Sequence, residues 1–406
     1  MIANRHPSVS VPVVSFIIFS AANLSALWFG VYKILPVTLT LMSLLLLAMF
    51  RPVAPVSLKS IASVGFSLLA VYLYSGLSTI WTPDPELALR DLIFSLLAIV
   101  PALLFGYFLG SRFTIQEICI AFGAVPVVYL IHGVFNEVST GDAMLVNEFS
   151  VRSLLGSLLC LIAPLLLGAY LQRPRVVIGF TFLVALLMTL SVQSRSAYLI
   201  VGPAVLFVAY QYGRRAFTAA VIAGFFFTLF IVAVNPERFL ERFSAENTSL
   251  DISEEVLNDA AKQSETAVDF DRRFAAFTSA LLFQEHPLRG GGYSSVLQIT
   301  ERDYGRGIAS HGFIPGTAGE LGLIGLSVIA LFFYRLYLLR KNSVLKTCRK
   351  QSIVSTGFWS GLAALSLYGL FHQTFESAVF GVAVGIAFGS SATVIGGRSI
   401  GLLRPL

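Results

Sequence analysis

Apolar stretches of about twenty residues recur along almost the whole of this chain, and that length is what an α-helix needs to cross the hydrocarbon core of a bilayer. They fall at roughly 11 to 30, 34 to 50, 60 to 81, 92 to 110, 116 to 136, 151 to 171, 175 to 193, 196 to 213, 216 to 235, 317 to 339, 354 to 372 and 376 to 394. The pattern predicts an all-α integral membrane protein of about twelve transmembrane helices. Composition agrees: the chain is 56% hydrophobic and only 12% charged, whereas a soluble domain is about half apolar and a quarter charged. With 406 residues so used, no separate soluble enzyme domain of ordinary size fits. The first run follows Arg5 without a small-residue cleavage site leading into a hydrophilic mature domain, so it is read as retained.

Lysine and arginine are distributed unevenly over the connections. One side gathers about fifteen, including Arg112, Arg173, Arg175, Arg214, Arg215, Arg340 and Lys341; the short loops of the other hold only Lys33, Arg90, Arg152 and Arg195. By the positive-inside rule both termini are expected in the cytoplasm. The net charge of +6 then reports topology and gives no reason to expect nucleic acid as a partner. One connection, 236 to 316, is far longer than the rest and is expected on the outer side between spans 9 and 10. The chain thus divides into 1–235 (spans 1 to 9), 236–316 (a loop carrying functional residues) and 317–406 (spans 10 to 12 and a short cytoplasmic tail). Within the loop, Asp271 to Leu282 has apolar groups at helical spacing behind Arg272 and Arg273. His286 and Pro287 stop that helix, and Gly290-Gly291-Gly292 is read as a flexible turn.

Several residues have the chemistry of a site. Arg195, in the polar break Ser191 to Ala197 beside Ser194, either snorkels to the headgroups or aims a cation at an anionic group arriving at the outer leaflet. Arg272 and Arg273 either anchor a helix end to lipid phosphate or join the same cationic pocket, and Arg152 is a third candidate. His311, in Ser310-His311-Gly312, is either an incidental loop histidine or a general base. Glu320, inside the start of a span, requires a partner. Cys119, Cys160 and Cys348 form no disulfide framework or thiolate site, and there is neither a metal-ligand motif nor a phosphate-binding loop.

The order of these features carries more than any one of them. Leu77-Ser78-x-x-Trp81-x-x-Asp84, then Ser194-Arg195, then Arg273-x-x-x-Phe277-x-x-Ala280 and Pro287-Leu288-x-Gly290-x-Gly292-Tyr293, then Ser310-His311 followed by Gly319-Glu320-Leu321-Gly322-Leu323-Ile324-Gly325, resembles the O-antigen ligase and polymerase superfamily of bacterial membrane glycosyltransferases. The specific part of the resemblance spans about residues 190 to 330. Phe277 stands where the family often has Trp, and Gly312 where Asn commonly follows the histidine.

The resemblance implies transfer of a glycan from an undecaprenyl diphosphate-linked donor to an acceptor hydroxyl at the periplasmic face of the bacterial inner membrane, without metal or cofactor. The acceptor would be lipid A core, as in lipopolysaccharide assembly, or another lipid-linked glycan, as in a polymerase. In that reading His311 is the general base and Arg195 and Arg273 hold the diphosphate. Arg152, Arg272, Ser194, Gly290, Gly292, Tyr293 and Glu320 complete the substrate site. Transfer to a protein hydroxyl is a related alternative; a secondary transporter or lipid flippase is one of another class.

Overall fold

Helix is the regular structure of this protein wherever it is described, with no strand among the described residues. These are 11–19, 38, 41–42, 58–131, 149–191, 195–234, 267–304, 307, 313–344, 352–369 and 378–396 of the computed structural model. In chain order the elements are α1 (Leu58–Ser78), a 3-10 turn (Thr79–Trp81), α2 (Pro85–Arg112), α3 (Ile115–Phe122), α4 (Phe149–Gln172), α5 (Val176–Ser191), α6 (Arg195–Tyr212), α7 (Arg214–Val234), α8 (Ala267–Glu285), α9 (Ser295–Tyr304), α10 (Phe313–Val344), α11 (Ser352–Gly369) and α12 (Ala378–Gly396). Sequence dictates the ends locally. Asp84 accepts from the Leu87 N–H at 3.0 Å with Pro85 opening α2, and Thr114 and Glu117 form a reciprocal capping box on α3.

Four stretches are long and apolar enough to cross a membrane, Ala62–Trp81, Pro85–Arg112, Leu155–Gln172 and Ile314–Lys341, with shorter apolar helices at Ile115–Ile131, Val176–Thr189, Ser196–Tyr212 and Ala378–Ser391. What these helices leave uncovered identifies their solvent. α1 and the 3-10 turn that continues it expose Phe66, Leu69, Leu73, Leu77 and Ile80, and α2 exposes Leu89, Ile93, Leu97, Val100 and Leu104. Both stripes advance by three or four residues, the period of one helix face. Large side chains ordered in this way on the outside are at home in lipid and costly in water, so the chain is a membrane protein.

The interior is built on small residues. Along α2 and α12 the series Ala102, Gly106, Gly110 faces Gly381, Gly385, Gly389, and a methyl group added at Gly106 or Gly110 would overlap the carbonyl oxygen of Val382 or Ile386. Residue numbers rise together across this seam, so the two helices run parallel. α4 and α11 close in the same way but antiparallel: Gly168 lies against Ile353 and Gly357, Gly361 against Leu161, and Gly156 against the Tyr368 ring. Lipid tails are as apolar as leucine, so close backbone approach, with its dispersion contacts, is what holds such helices together. Phe16, from the helical residues 11–19, inserts between Phe105 and Phe122, with ring centroids 6.1 and 4.1 Å away.

Gly385→Leu or Gly106→Leu should therefore separate α2 from α12 and cost about 3 kcal/mol or more, in the range of overpacked cores and beyond. Gly65→Ala and Gly202→Ala, where nothing lies within 4 Å of the added methyl, should leave stability within about 0.5 kcal/mol. Denaturant titration of the four variants in mixed micelles compares them directly; equal midpoints would contradict the seam.

Candidate functional site

α8 ends where Pro287 cannot continue it, with the His286 N–H closing the last turn on the Leu282 carbonyl at 2.9 Å. The chain then turns through Gly290 (φ +72°) and Gly292 (φ +100°), left-handed conformations that favour glycine. Across from it α10 is interrupted at Gly322, with φ 65° and ψ −164°, a region closed to residues with a Cβ. The two irregularities complete each other. In an unbroken helix Leu323 and Ile324 would donate to Gly319 and Glu320. Instead they donate to the carbonyls of Pro287 (2.9 Å) and Leu288 (3.1 Å), while the carbonyls of Gly319 and Glu320 accept from Gly291 and Gly292, both at 2.8 Å. Both missing rungs are thus refilled by backbone of the 287–292 loop, which leaves none of their four groups unpaired at membrane depth.

The approach is so close that a Cβ at Gly290 would overlap the Glu320 carbonyl and one at Gly322 the Leu288 carbonyl. The glycine triplet expected to be a flexible turn is therefore locked: all three of its N–H groups donate hydrogen bonds, Gly290 to His286 at 2.8 Å. Its glycines serve close approach and turn geometry together.

Beneath this clasp lies the junction of α1 and α2. Ser78 accepts from the Tyr293 N–H at 3.0 Å and donates to the Ser75 carbonyl at 2.7 Å. The Gln298 side chain pairs with Asp84 in both directions, accepting from its N–H at 2.8 Å and donating to its carbonyl at 2.9 Å. Tyr293 and Ser95 share a hydrogen bond of 3.0 Å. Ser294, a non-glycine residue at φ 63°, donates to Asp91 Oδ2 at 2.8 Å. Arg289 lies with its guanidinium 5.9 Å from the centre of the Trp81 ring, at the margin of cation–π attraction. The Tyr74 hydroxyl donates to the Arg289 carbonyl at 3.4 Å. Trp81 Nε1, Thr82 Oγ1 and Ser295 Oγ are buried without a hydrogen-bond partner. At the far end of α9, Arg302 donates to Asp303 at 2.7 Å and holds that carboxyl below its ordinary value; both side chains are exposed, so the pair adds little stability.

Three segments singled out in the sequence, Leu77 to Asp84, Pro287 to Tyr293 and Gly319 to Gly325, thus meet in one place, bringing Gly290, Gly292, Tyr293 and Glu320 together. Arg152 lies in the first turns of α4, Arg195 begins α6, and Arg272 and Arg273 lie in α8. Ser194 and His311 are outside the described residues, as are 235–266, His132, His372 and Cys348. Cys119 and Cys160 are buried free thiols. Among the described residues no three His, Cys, Asp or Glu side chains are grouped as a metal site would need. Arg289, Asp91, Ser294 and Gln298 belong to the cluster but carried no signal in the sequence, because isolated polar residues near helix ends are common on any membrane protein. No protein-family model matches the chain, and no curated protein does.

Substitution at the clasp should follow the geometry. Gly322→Ala combines a forbidden backbone angle with overlap on a carbonyl, at a cost of about 3 kcal/mol or more. Gly291→Ala meets chiefly the side-chain ends of Leu282 and Ser295 and should cost less than half of that. The midpoints of unfolding in mixed micelles test the order; a milder effect at Gly322 than at Gly291 would contradict the interlocked backbone.

Proposed function

We propose that this chain is an inner-membrane glycosyltransferase that moves a glycan from an undecaprenyl diphosphate-linked donor to an acceptor hydroxyl at the periplasmic face, with O-antigen ligation to lipid A core as the leading reaction. One observation carries the reading. Three of the segments whose order resembles the ligase and polymerase superfamily, one of them some two hundred residues before the other two, pack into a single hydrogen-bonded cluster at the end of a candidate span. Residues that matched by chance would have no reason to meet.

Helix directions support the proposed topology. With about twelve alternating spans, α2 and α12 are the fourth and twelfth and point the same way; α4 and α11 are the sixth and eleventh and point oppositely. The glycine seams have these directions.

The chemistry follows from the donor. As the anomeric carbon–oxygen bond breaks, charge grows on the departing diphosphate, and guanidinium groups in a site poor in water stabilise it more in the transition state than in the ground state. Arg195 and Arg273 are assigned this part, with Arg152 and Arg272 in support. The acceptor hydroxyl loses its proton as it attacks, and His311 is assigned as the base that takes it. Attack opposite the leaving diphosphate inverts the anomeric centre. A transporter reading gains nothing from the interrupted α10, because the backbone groups of its two missing rungs are already spent on the 287–292 loop and are not available to an ion.

The test offers purified protein an undecaprenyl diphosphate-linked oligosaccharide with and without lipid A core, following diphosphate release and product size. Core-dependent release with one added glycan is expected, and a ladder from donor alone would make the protein a polymerase. His311→Ala should lower turnover by about 10²- to 10⁴-fold with donor binding largely kept, whereas Arg273→Ala should weaken both. Near-normal turnover in His311→Ala would remove the histidine from the mechanism.

A further inference from the structure

We propose that Arg289, held over the ring of Trp81, is a seat for the phosphate of a membrane lipid. Its position comes first. Trp81 is the last residue of the span Ala62–Trp81, and the next span begins four residues later at Pro85, so the short turn between them lies at one surface of the bilayer. Tryptophan and tyrosine gather at this level because their rings suit the boundary between hydrocarbon and headgroups. Tyr74 and Trp81 lie there with centroids 6.4 Å apart.

The charge of Arg289 is not spent on the fold. Its side chain is exposed, and among the described residues no carboxylate pairs with it. Asp84 and Asp91 of the same cluster are engaged elsewhere, Asp84 in capping α2 and Asp91 with Ser294. Tyr74 bonds to the Arg289 carbonyl, which any residue at this position would supply. The guanidinium is thus a fork of donors placed on an aromatic platform with its hydrogen-bonding capacity unspent. Trp81 adds an indole N–H that is buried and has no partner.

The surroundings specify the ligand. Ile80, Leu288 and Leu77 flank the pair at 70%, 64% and 54% exposure, and below them Leu73, Leu69 and Phe66 continue an uncovered apolar stripe along α1. A cation at headgroup level with such a stripe beneath it fits a molecule that is anionic at one end and alkyl along the rest. A water-soluble anion would leave the stripe unused, and an acidic peptide would meet lipid there. Phosphate oxygens match the planar fork of arginine and form charge-assisted bonds with it. Assigning the seat to the glycan donor rests on the function proposed above; the seat itself does not.

Native mass spectrometry of the full-length protein in detergent tests this with three probes: undecaprenyl diphosphate without a glycan, phosphatidylglycerol, and diacylglycerol as an uncharged control. Arg289→Gln should weaken retention of the phosphate-bearing lipids by about tenfold or more, the worth of a lost charge-assisted contact, and leave diacylglycerol unchanged. Arg289→Lys should recover part of the loss. Trp81→Phe keeps a ring and removes the N–H; a smaller loss is expected, and none would remove the indole N–H from the seat. Unchanged thermal unfolding would show that the Arg289 variants are folded, and unchanged lipid retention in folded Arg289→Gln would overturn the proposal. Stronger retention of the prenyl diphosphate than of phosphatidylglycerol assigns the seat to the donor, and equal retention assigns it to bilayer lipid; either supports a lipid-phosphate seat. Because no glycan is transferred, a protein that binds these lipids through Arg289 but catalyses nothing keeps the seat and loses the enzyme reading.

Discussion

The exchange of backbone hydrogen bonds between the 287–292 loop and α10 is the interaction on which this end of the molecule depends. A helix in lipid has no water to satisfy interrupted rungs, so a break survives only if other protein supplies the missing donors and acceptors. Here the loop supplies both, two carbonyls to the helix after the break and two N–H groups to the helix before it. The exchange fixes the exit of α8, the path of Tyr293 and Ser294, and through them the contacts to Ser78, Asp91 and Ser95. Without it the junction of α1 and α2 would lose its cover, and the cluster would have no common geometry.

The small-residue seams give that cluster a frame. Two helix pairs, one parallel and one antiparallel, bring backbones close enough to pack without large side chains between them. α4 is buried over 83% of its spanning window, against 28% for the α1 span. The difference separates an inner layer that meets protein from an outer layer that meets lipid. The polar cluster belongs to the outer layer, beside the apolar side chains that α1 leaves uncovered.

The all-helical membrane character was legible in the sequence because long apolar runs report membrane helices, and the helix from Asp271 to Leu282, with its stop at His286 and Pro287, lies within α8 (Ala267–Glu285). The glycine triplet was recognised as a turn but not as a lock, because a turn's rigidity depends on what it bonds. Its partners, Gly319 to Ile324, sit about thirty residues further on inside an apolar run that reads as continuous helix. Gly322 looked like one more small residue of a span. Arg289 was silent for a related reason: an arginine near a membrane end is ordinary, and its meaning comes from Trp81, which local patterning cannot connect to it.

The parallel seam between α2 and α12 sets an order of assembly. The glycine face of α2 is synthesised about 280 residues before its partner, and translation at about 5 to 20 residues per second separates the two by tens of seconds. During that interval the groove of Ala102, Gly106 and Gly110 is bare within the bilayer. Closing it has to wait for α12. A chain cut short before Ala378 would keep this groove with no α12 to fill it.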